Sequence, residues 1–287
     1  LFPPVVVVGP VRVAWYSLLM SGGLLAALLW LAWADPERQR PSGVQLHAGS
    51  DRRTLRGQFS RLTAGWPAAL RRALDDALPL LLSALTVGRI VYVLAQWAYF
   101  REHPLQALHV WEGGLSAHGA LAGFLAALAW RARRQPGQWA AADRCAPPLI
   151  LLQTAAWLSC WCAGCAYGRP VDIVRWPWLA AFDWPDLYGV FLPRAPVQGL
   201  GVILSLALLL GVARLRTRGL TPGVLASVAL FLGALTDAGL QLLRGDEAWL
   251  WLGQRAGLGA DLLFMAAAAT WFVLAWRGRL AQNRLSC

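Results

Sequence analysis

Trp111-Glu112-Gly113-Gly114-Leu115-Ser116-Ala117-His118-Gly119-Ala120 runs out of a polar connection and into an apolar segment that continues to Trp130. An imidazole carried into such a segment can accept or donate a proton near neutral pH. The glycines on either side let a second backbone, or a lipid headgroup, come close. Taken alone, the stretch has a plainer reading: a small-residue helix start whose one histidine is simply hydrogen-bonded. Its surroundings decide which reading applies.

Those surroundings have a membrane protein's composition. The 287 residues are 57% hydrophobic, with 17 tryptophans and a mean hydropathy of +0.48, more apolar than a soluble domain of this length. Seven apolar runs approach the ~20 residues that a bilayer core requires. They are Val13–Ala34, Ala77–Phe100, Gly113–Trp130, Cys145–Gly168, Ala195–Ala213, Gly219–Leu243 and Ala256–Trp276. Each span must satisfy its own backbone groups, so the expected fold is an all-α integral membrane protein of seven transmembrane helices in a single domain, 1–287. The first run is long enough to span and reads as a helix rather than a cleavable signal.

Net charge is +11, and all 26 basic residues are arginine. They sit at the ends of apolar runs, which points to a membrane surface and not to nucleic acid. Eighteen of them fall after spans one, three, five and seven, against seven on the opposite side, with Arg89 inside a span. The positive-inside rule then puts the N-terminus outside and the C-terminus in the cytoplasm. Phe2 to Pro10 is too proline-broken for a helix and is expected to lie extended along the outer surface. Residues 36–72 read as a cytoplasmic loop, with a short interfacial helix near Leu55–Leu62. Residues 169–194 read as an outer loop lying at headgroup level through Trp176, Trp178, Trp184 and Tyr188. No internal repeat is visible.

Within the spans the polar residues stand out. An arginine at mid-span costs roughly 2.5–3.5 kcal/mol unless it is partnered. Arg89 must therefore face the protein interior, as a structural contact or as a phosphate ligand. His118 lies five residues past the start of its span, Asp261 five past its own, and Asp237 six before its outer end. Tyr167, Gly168 and Arg169 close the fourth span. At ~1.5 Å of rise per residue, all of these fall in the outer half of the membrane. Polar groups from separate helices at one depth suggest a cavity open to the outer leaflet. Cys160-Trp161-Cys162-Ala163-Gly164-Cys165 has the look of a metal motif. At about 100° per residue its three sulfurs diverge, so small buried hydrophobes are expected, with no metal, no cofactor and no disulfide.

Four stretches resemble the prolipoprotein diacylglyceryl transferases of bacterial inner membranes. They are Gly9-Pro10 to Trp15-Tyr16, Gly88-Arg89-Ile90-Val91-Tyr92-Val93-Leu94, Pro104 through His118-Gly119, and Gly164-Cys165-Ala166-Tyr167-Gly168-Arg169-Pro170. Weaker echoes follow at Pro196-Val197-Gln198 and Leu242-Leu243-Arg244-Gly245-Asp246. The chain is identified as a divergent member. The resemblance implies transfer of diacylglyceryl from phosphatidylglycerol to a lipobox cysteine thiol on the outer side of the membrane. It implies His118 as the base, although the family's second glycine after it is Ala120 here. It implies phospholipid contacts at Arg89, Glu112, Gly113, Gly114, Tyr167, Gly168, Arg169 and Arg244, with Asp237 in the cavity. The implied partners are a phosphatidylglycerol-like lipid, the membrane, and a lipobox peptide or other membrane subunits; no nucleic acid is expected.

The departures are specific. Counting back from Tyr167-Gly168, the family's span-four arginine falls on Trp157, its asparagines on Cys160 and Ala163, and its glutamate on Cys165. Counting back from Arg244, a tyrosine, an arginine and a glutamate fall on Gly233, Asp237 and Gln241. Two phosphate-holding arginines thus become a tryptophan and an aspartate. The expected outcome is a weak or inactive transferase. The alternative is a catalytically inactive homologue that serves as a lipid- or cofactor-holding subunit of a larger membrane complex. Pigment or haem binding through His118 is a weaker third.

Overall fold

In hydrocarbon a backbone N–H has only its own chain to bond, and the apolar runs accordingly fold as helices. The computed structural model describes residues 5–8, 11–35, 66–110, 114–134, 138–172, 174–175, 177, 186 and 188–285. Strands β1 (Val5–Val8) and β2 (Val11–Ala14) form an antiparallel hairpin, with Val8 paired to Val11. Helix α1 spans Trp15–Trp33, α2 Trp66–Ala95 and the short α3 Trp97–Phe100. A 3-10 turn at Pro104–Leu108 leads to α4 at Ala117–Arg134. Then come α5 (Gln138–Ala163), α6 (Val197–Arg216), α7 (Val224–Gln241), a small hairpin of β3 (Leu250–Trp251) and β4 (Gln254–Arg255), and α8 (Ala256–Leu285).

Six of these helices, α1, α2, α5, α6, α7 and α8, are long and apolar enough to cross a membrane by length and composition. The 18-residue α4 is set apart by Arg131, Arg133 and Arg134 in its last turn. The long helices pack in the order α4, α2, α1, α5, α7, α8, and α8 returns to α4, with α6 seated against α5 and α7. The main core lies toward one end, where Leu80, Phe124, Leu128, Ile150, Val212 and Leu225 meet.

Small residues set the contact between α2 and α4. Gly119 and Gly123, one turn apart on α4, let it lie against α2. A Cβ at Gly119 would come within 3.0 Å of the Val87 carbonyl. The Ser83 hydroxyl donates to the Gly123 carbonyl across the same seam at 2.8 Å. This is the small-xxx-small packing that membrane helices use where no hydrophobic effect drives them together. Ion pairs tie the arginine-rich end. Arg72 meets Asp35 at 2.7 Å, joining α2 to the end of α1, and Arg131 meets Asp76 at 2.6 Å, joining α4 to α2. Asp143 on α5 caps a neighbour: its carboxylate accepts the backbone N–H groups of Gly223 and Ala226 at 2.8 Å each. These are donors that the first turn of α7 cannot satisfy internally.

Several expected boundaries move. Helix α2 starts at Trp66 instead of Ala77, so residues 66–72 are helix and not loop. Residues 36–65, including the helix expected near Leu55–Leu62, lie outside the described residues, as do Trp176, Trp178 and Trp184. The second run is broken at Gln96, between α2 and α3. Helix α5 stops at Ala163, and Gly164 takes φ 72°, so Tyr167, Gly168 and Arg169 form a loop beyond the helix and do not close a span.

The cysteine reading is also corrected. Cys160 and Cys165 are joined in a disulfide, with Cα atoms 4.7 Å apart, while Cys145 and Cys162 are free. The sulfurs diverge only if the helix continues. The left-handed turn at Gly164 ends it and brings Cys165 back over Cys160, whose carbonyl accepts the Cys165 N–H at 3.0 Å.

Candidate functional site

Three helices deliver one cluster. His118 sits in the first turn of α4, Asp237 in the last turns of α7 and Asp261 in the second turn of α8. The His118 Nε2 lies 3.1 Å from the Asp261 Oδ1 and 3.5 Å from the Asp237 Oδ2. The imidazole stacks on Phe264, with ring planes 3° apart. Gly257 makes room: a Cβ there would come 2.6 Å from the Gln241 Nε2 and 3.1 Å from the His118 Cε1.

A polar relay runs outward from this cluster. Gln241 donates to the Asp237 carboxylate at 3.3 Å, and Arg255 donates from Nε to the Gln241 oxygen at 3.1 Å. Arg255 also reaches the Asp246 carboxylate at 3.0 Å and its backbone carbonyl at 2.7 Å. Arg244 forks onto the same carboxylate at 2.8 and 2.5 Å. One aspartate thus occupies two arginines. The sequence already places Asp261 at the depth of His118 and Asp237, and marks Gln241 as a departure from the resemblance and Asp246 as part of an echo of it; Arg255 is the residue that sequence reasoning misses. The signal for Arg255 is its nearness in sequence to that echo.

The loop after α5 joins the same end of the bundle. Gly168 bridges Arg244 in strand fashion, the Gly245 N–H donates to the Tyr167 carbonyl at 2.9 Å, and the Arg169 N–H donates to that of Leu243. The Arg169 side chain is exposed. The Tyr167 ring lies under Arg194, 4.4 Å from the guanidinium carbon, and Arg194 pairs with buried Asp186 at 2.7 Å. The structure brings His118 and Asp237 together, whereas Tyr167 is tied to the Arg194–Asp186 pair.

Arg89 faces inward, as the insertion cost demands, and finds carbonyls. It donates to Ala107 at 2.8 Å, Gln106 at 2.7 Å, Gly114 at 2.9 Å and His109 at 3.3 Å. Tyr92 and Phe100 flank the guanidinium at 5.6 and 5.4 Å. Gly114 needs its glycine: φ is +77°, and a Cβ would meet the Tyr92 ring and the Arg89 Nη1. Glu112 and Gly113 lie outside the described residues. Trp157, on which counting from the resemblance puts an arginine, is buried against Gly201 with Ala195, Val197 and Leu240.

Chemically, a carboxylate on one imidazole nitrogen fixes the tautomer and leaves the other nitrogen as the base. Two carboxylates on that nitrogen go further and make the pocket a place for a positive charge.

Residues 54–274 match the family described as prolipoprotein diacylglyceryl transferase, a segment that takes in His118, Asp237 and Asp261. The phosphatidylglycerol–prolipoprotein diacylglyceryl transferase of Cupriavidus pinatubonensis is 31% identical over 232 residues, 78% of this chain and 73% of that protein. The protein of that name in Nitrosomonas europaea is 32% identical over 201 residues, 69% and 60%. The one in Trichormus variabilis is 31% identical over 178 residues, 61% and 52%. The chain spans about half the length of this last relative. Together with its six long apolar helices, these matches describe a multi-pass protein of the bacterial inner membrane. With the family match covering most of its length, the chain belongs to the prolipoprotein diacylglyceryl transferase family.

Proposed function

We propose that this chain binds an anionic, phosphatidylglycerol-like phospholipid at the His118 end of the bundle, and that it transfers the diacylglyceryl group to a thiol slowly or not at all. The observation that carries this is Asp237, a carboxylate 3.5 Å from the His118 Nε2 where the resemblance calls for an arginine. In the transfer, a thiolate attacks the glycerol carbon, the carbon–oxygen bond to phosphate breaks, and glycerol phosphate leaves with the charge. His118 would take the thiol proton. Positive charge must meet the leaving phosphate, and Asp237 opposes it.

The other cations offer limited compensation. Arg244 and Arg255 are both engaged by Asp246, and Arg89 is turned onto carbonyls. Arg169 is exposed and is the phosphate contact proposed here, with Tyr167 and Gly168 positioning its loop against Arg244. The test is photo-crosslinking with a phosphatidylglycerol analogue in vesicles. Labelling is expected to be competed by phosphatidylglycerol and to fall about fivefold with Arg169→Ala, the loss of about 1 kcal/mol. Labelling that excess phosphatidylglycerol leaves unchanged would remove the lipid reading.

The proposed topology is seven spans, α4 crossing beside α2, with the N-terminus and the 169–194 loop outside and the connection between α1 and α2 and the C-terminus in the cytoplasm. Two features support it. The Cys160–Cys165 disulfide lies at the His118 end of α5, and disulfides persist in oxidising compartments. Arg131, Arg133, Arg134, Arg214 and Arg216 crowd the opposite end, in the last turns of α4 and α6, as the positive-inside rule requires of a cytoplasmic face. A fluorescent protein fused after Cys287 is expected to fluoresce, and alkaline phosphatase fused there to stay inactive. The reverse pattern contradicts the orientation.

A further inference from the structure

We propose that His118, Asp237 and Asp261 form a site for one divalent transition-metal cation of the zinc class. The proposal goes beyond the lipid reading and does not rest on it. One imidazole nitrogen and two carboxylate oxygens, from α4, α7 and α8, all lie within 4.8 Å of one another. The separations from Nε2 are 3.1 and 3.5 Å. Zinc bonds of ~2.0–2.2 Å to nitrogen and oxygen hold neighbouring ligand atoms about 3–3.5 Å apart, so both carboxylates already stand at ligand spacing from the imidazole nitrogen.

A second observation points to a missing charge. Asp261 is 2% exposed, and its Oδ2 has no hydrogen-bond partner among the described residues. The sister oxygen is the one beside His118, so the unpartnered atom belongs to the same knot of donors. A buried carboxylate oxygen without a partner is costly. Nε2 carries at most one proton, which can serve one carboxylate while two converge on it. A single divalent cation serves all three donors at once.

The surroundings fit a ligand set. Gln241 donates to the Asp237 carboxylate and is itself held by Arg255, the kind of outer hydrogen bond that orients a metal-bound carboxylate. His118 and Asp237 keep 24% and 22% of their side chains exposed, which leaves an open position for water or an anionic headgroup. The imidazole ligand favours zinc over magnesium or calcium, which prefer all-oxygen sites. The donors are spread over separate helices, so no short motif announces them. A metal on Nε2 also removes that nitrogen as a proton acceptor.

The experiment uses the intact protein, purified on a tag without histidines, stripped with a chelator and dialysed against zinc chloride alone. Elemental analysis is expected to find one zinc per chain, with magnesium chloride giving none. Asp237→Asn and Asp261→Asn should each weaken binding at least about tenfold, while Asp75→Asn on exposed α2 surface leaves it unchanged. A readout on the unmodified chain guards against misfolded variants. Zinc should slow the reaction of His118 with diethyl pyrocarbonate, with exposed His103 as the internal reference. Substoichiometric zinc at about 100 µM free metal, equal zinc retention by both aspartate variants, or unprotected His118 would each overturn the site. No lipid or peptide is present, so failure here leaves the phospholipid reading untouched.

Discussion

Given phosphatidylglycerol and a lipobox peptide, the purified chain is expected to transfer diacylglyceryl at least about 100-fold more slowly than the Nitrosomonas europaea relative under the same conditions. Removing a single preorganised donor from a charged transition state costs about 2.7–4 kcal/mol, or 10²–10³ in rate. In the reading proposed above, two such donors are replaced. Trp157 fills its place with a buried indole, and Asp237 brings a negative charge to within 3.5 Å of the candidate base. Effects within one site do not add simply, so the expectation is one large loss and not a product of two. The cations that remain at this end are partly neutralised, with Arg244 and Arg255 sharing Asp246. Complementation makes the same test in cells depleted of their own transferase. Full lipoprotein modification that disappears with His118→Ala would mean that Arg169 or a bound cation supplies what the arginines no longer do.

The apolar runs are legible because hydrocarbon imposes one length and one kind of backbone bonding on every span. Their ends are less legible, because a helix does not stop where its apolar face does. Trp66 to Asp76 stays helical through charged residues because Arg72 and Arg131 pair with Asp35 and Asp76. At the candidate site, His118 and Asp237 are readable as polar groups at one depth. Their meeting with Asp261 depends on the rotational setting of three helices across 143 residues of chain, which depth alone does not supply. The disulfide is hidden for a similar reason. Cys160 and Cys165 look divergent until Gly164 ends the helix at a positive φ, and a glycine inside an apolar run gives little warning that it will do so. Arg89 is the converse case: the cost of burying it announces a partner, and only the identity of that partner needed the structure.

Arg89→Met is expected to destabilise the protein by about 3 kcal/mol or more, seen as a large fall in the detergent-solubilised unfolding temperature. Hydrogen bonds to a charged group contribute about 1.5–3 kcal/mol each, and a buried acceptor left unpaired costs about 1–3 kcal/mol. Arg89 is 8% exposed and donates to four carbonyls, those of Gln106, Ala107, His109 and Gly114. These acceptors lie between α3 and α4, in the stretch that delivers His118. Water can reach some of the half-buried carbonyls once the guanidinium is gone, so the loss is smaller than the sum over four bonds. Methionine keeps the apolar stem that packs between Tyr92 and Phe100, which isolates the polar contribution from the packing. Arg89→Lys should fall between the two, because an ammonium on a flexible stem cannot present the planar fork that reaches acceptors on both sides. If Arg89 is instead held for a lipid phosphate, Arg89→Met would leave the unfolding temperature unchanged and abolish photo-crosslinking by the phosphatidylglycerol analogue. That result would overturn the structural role.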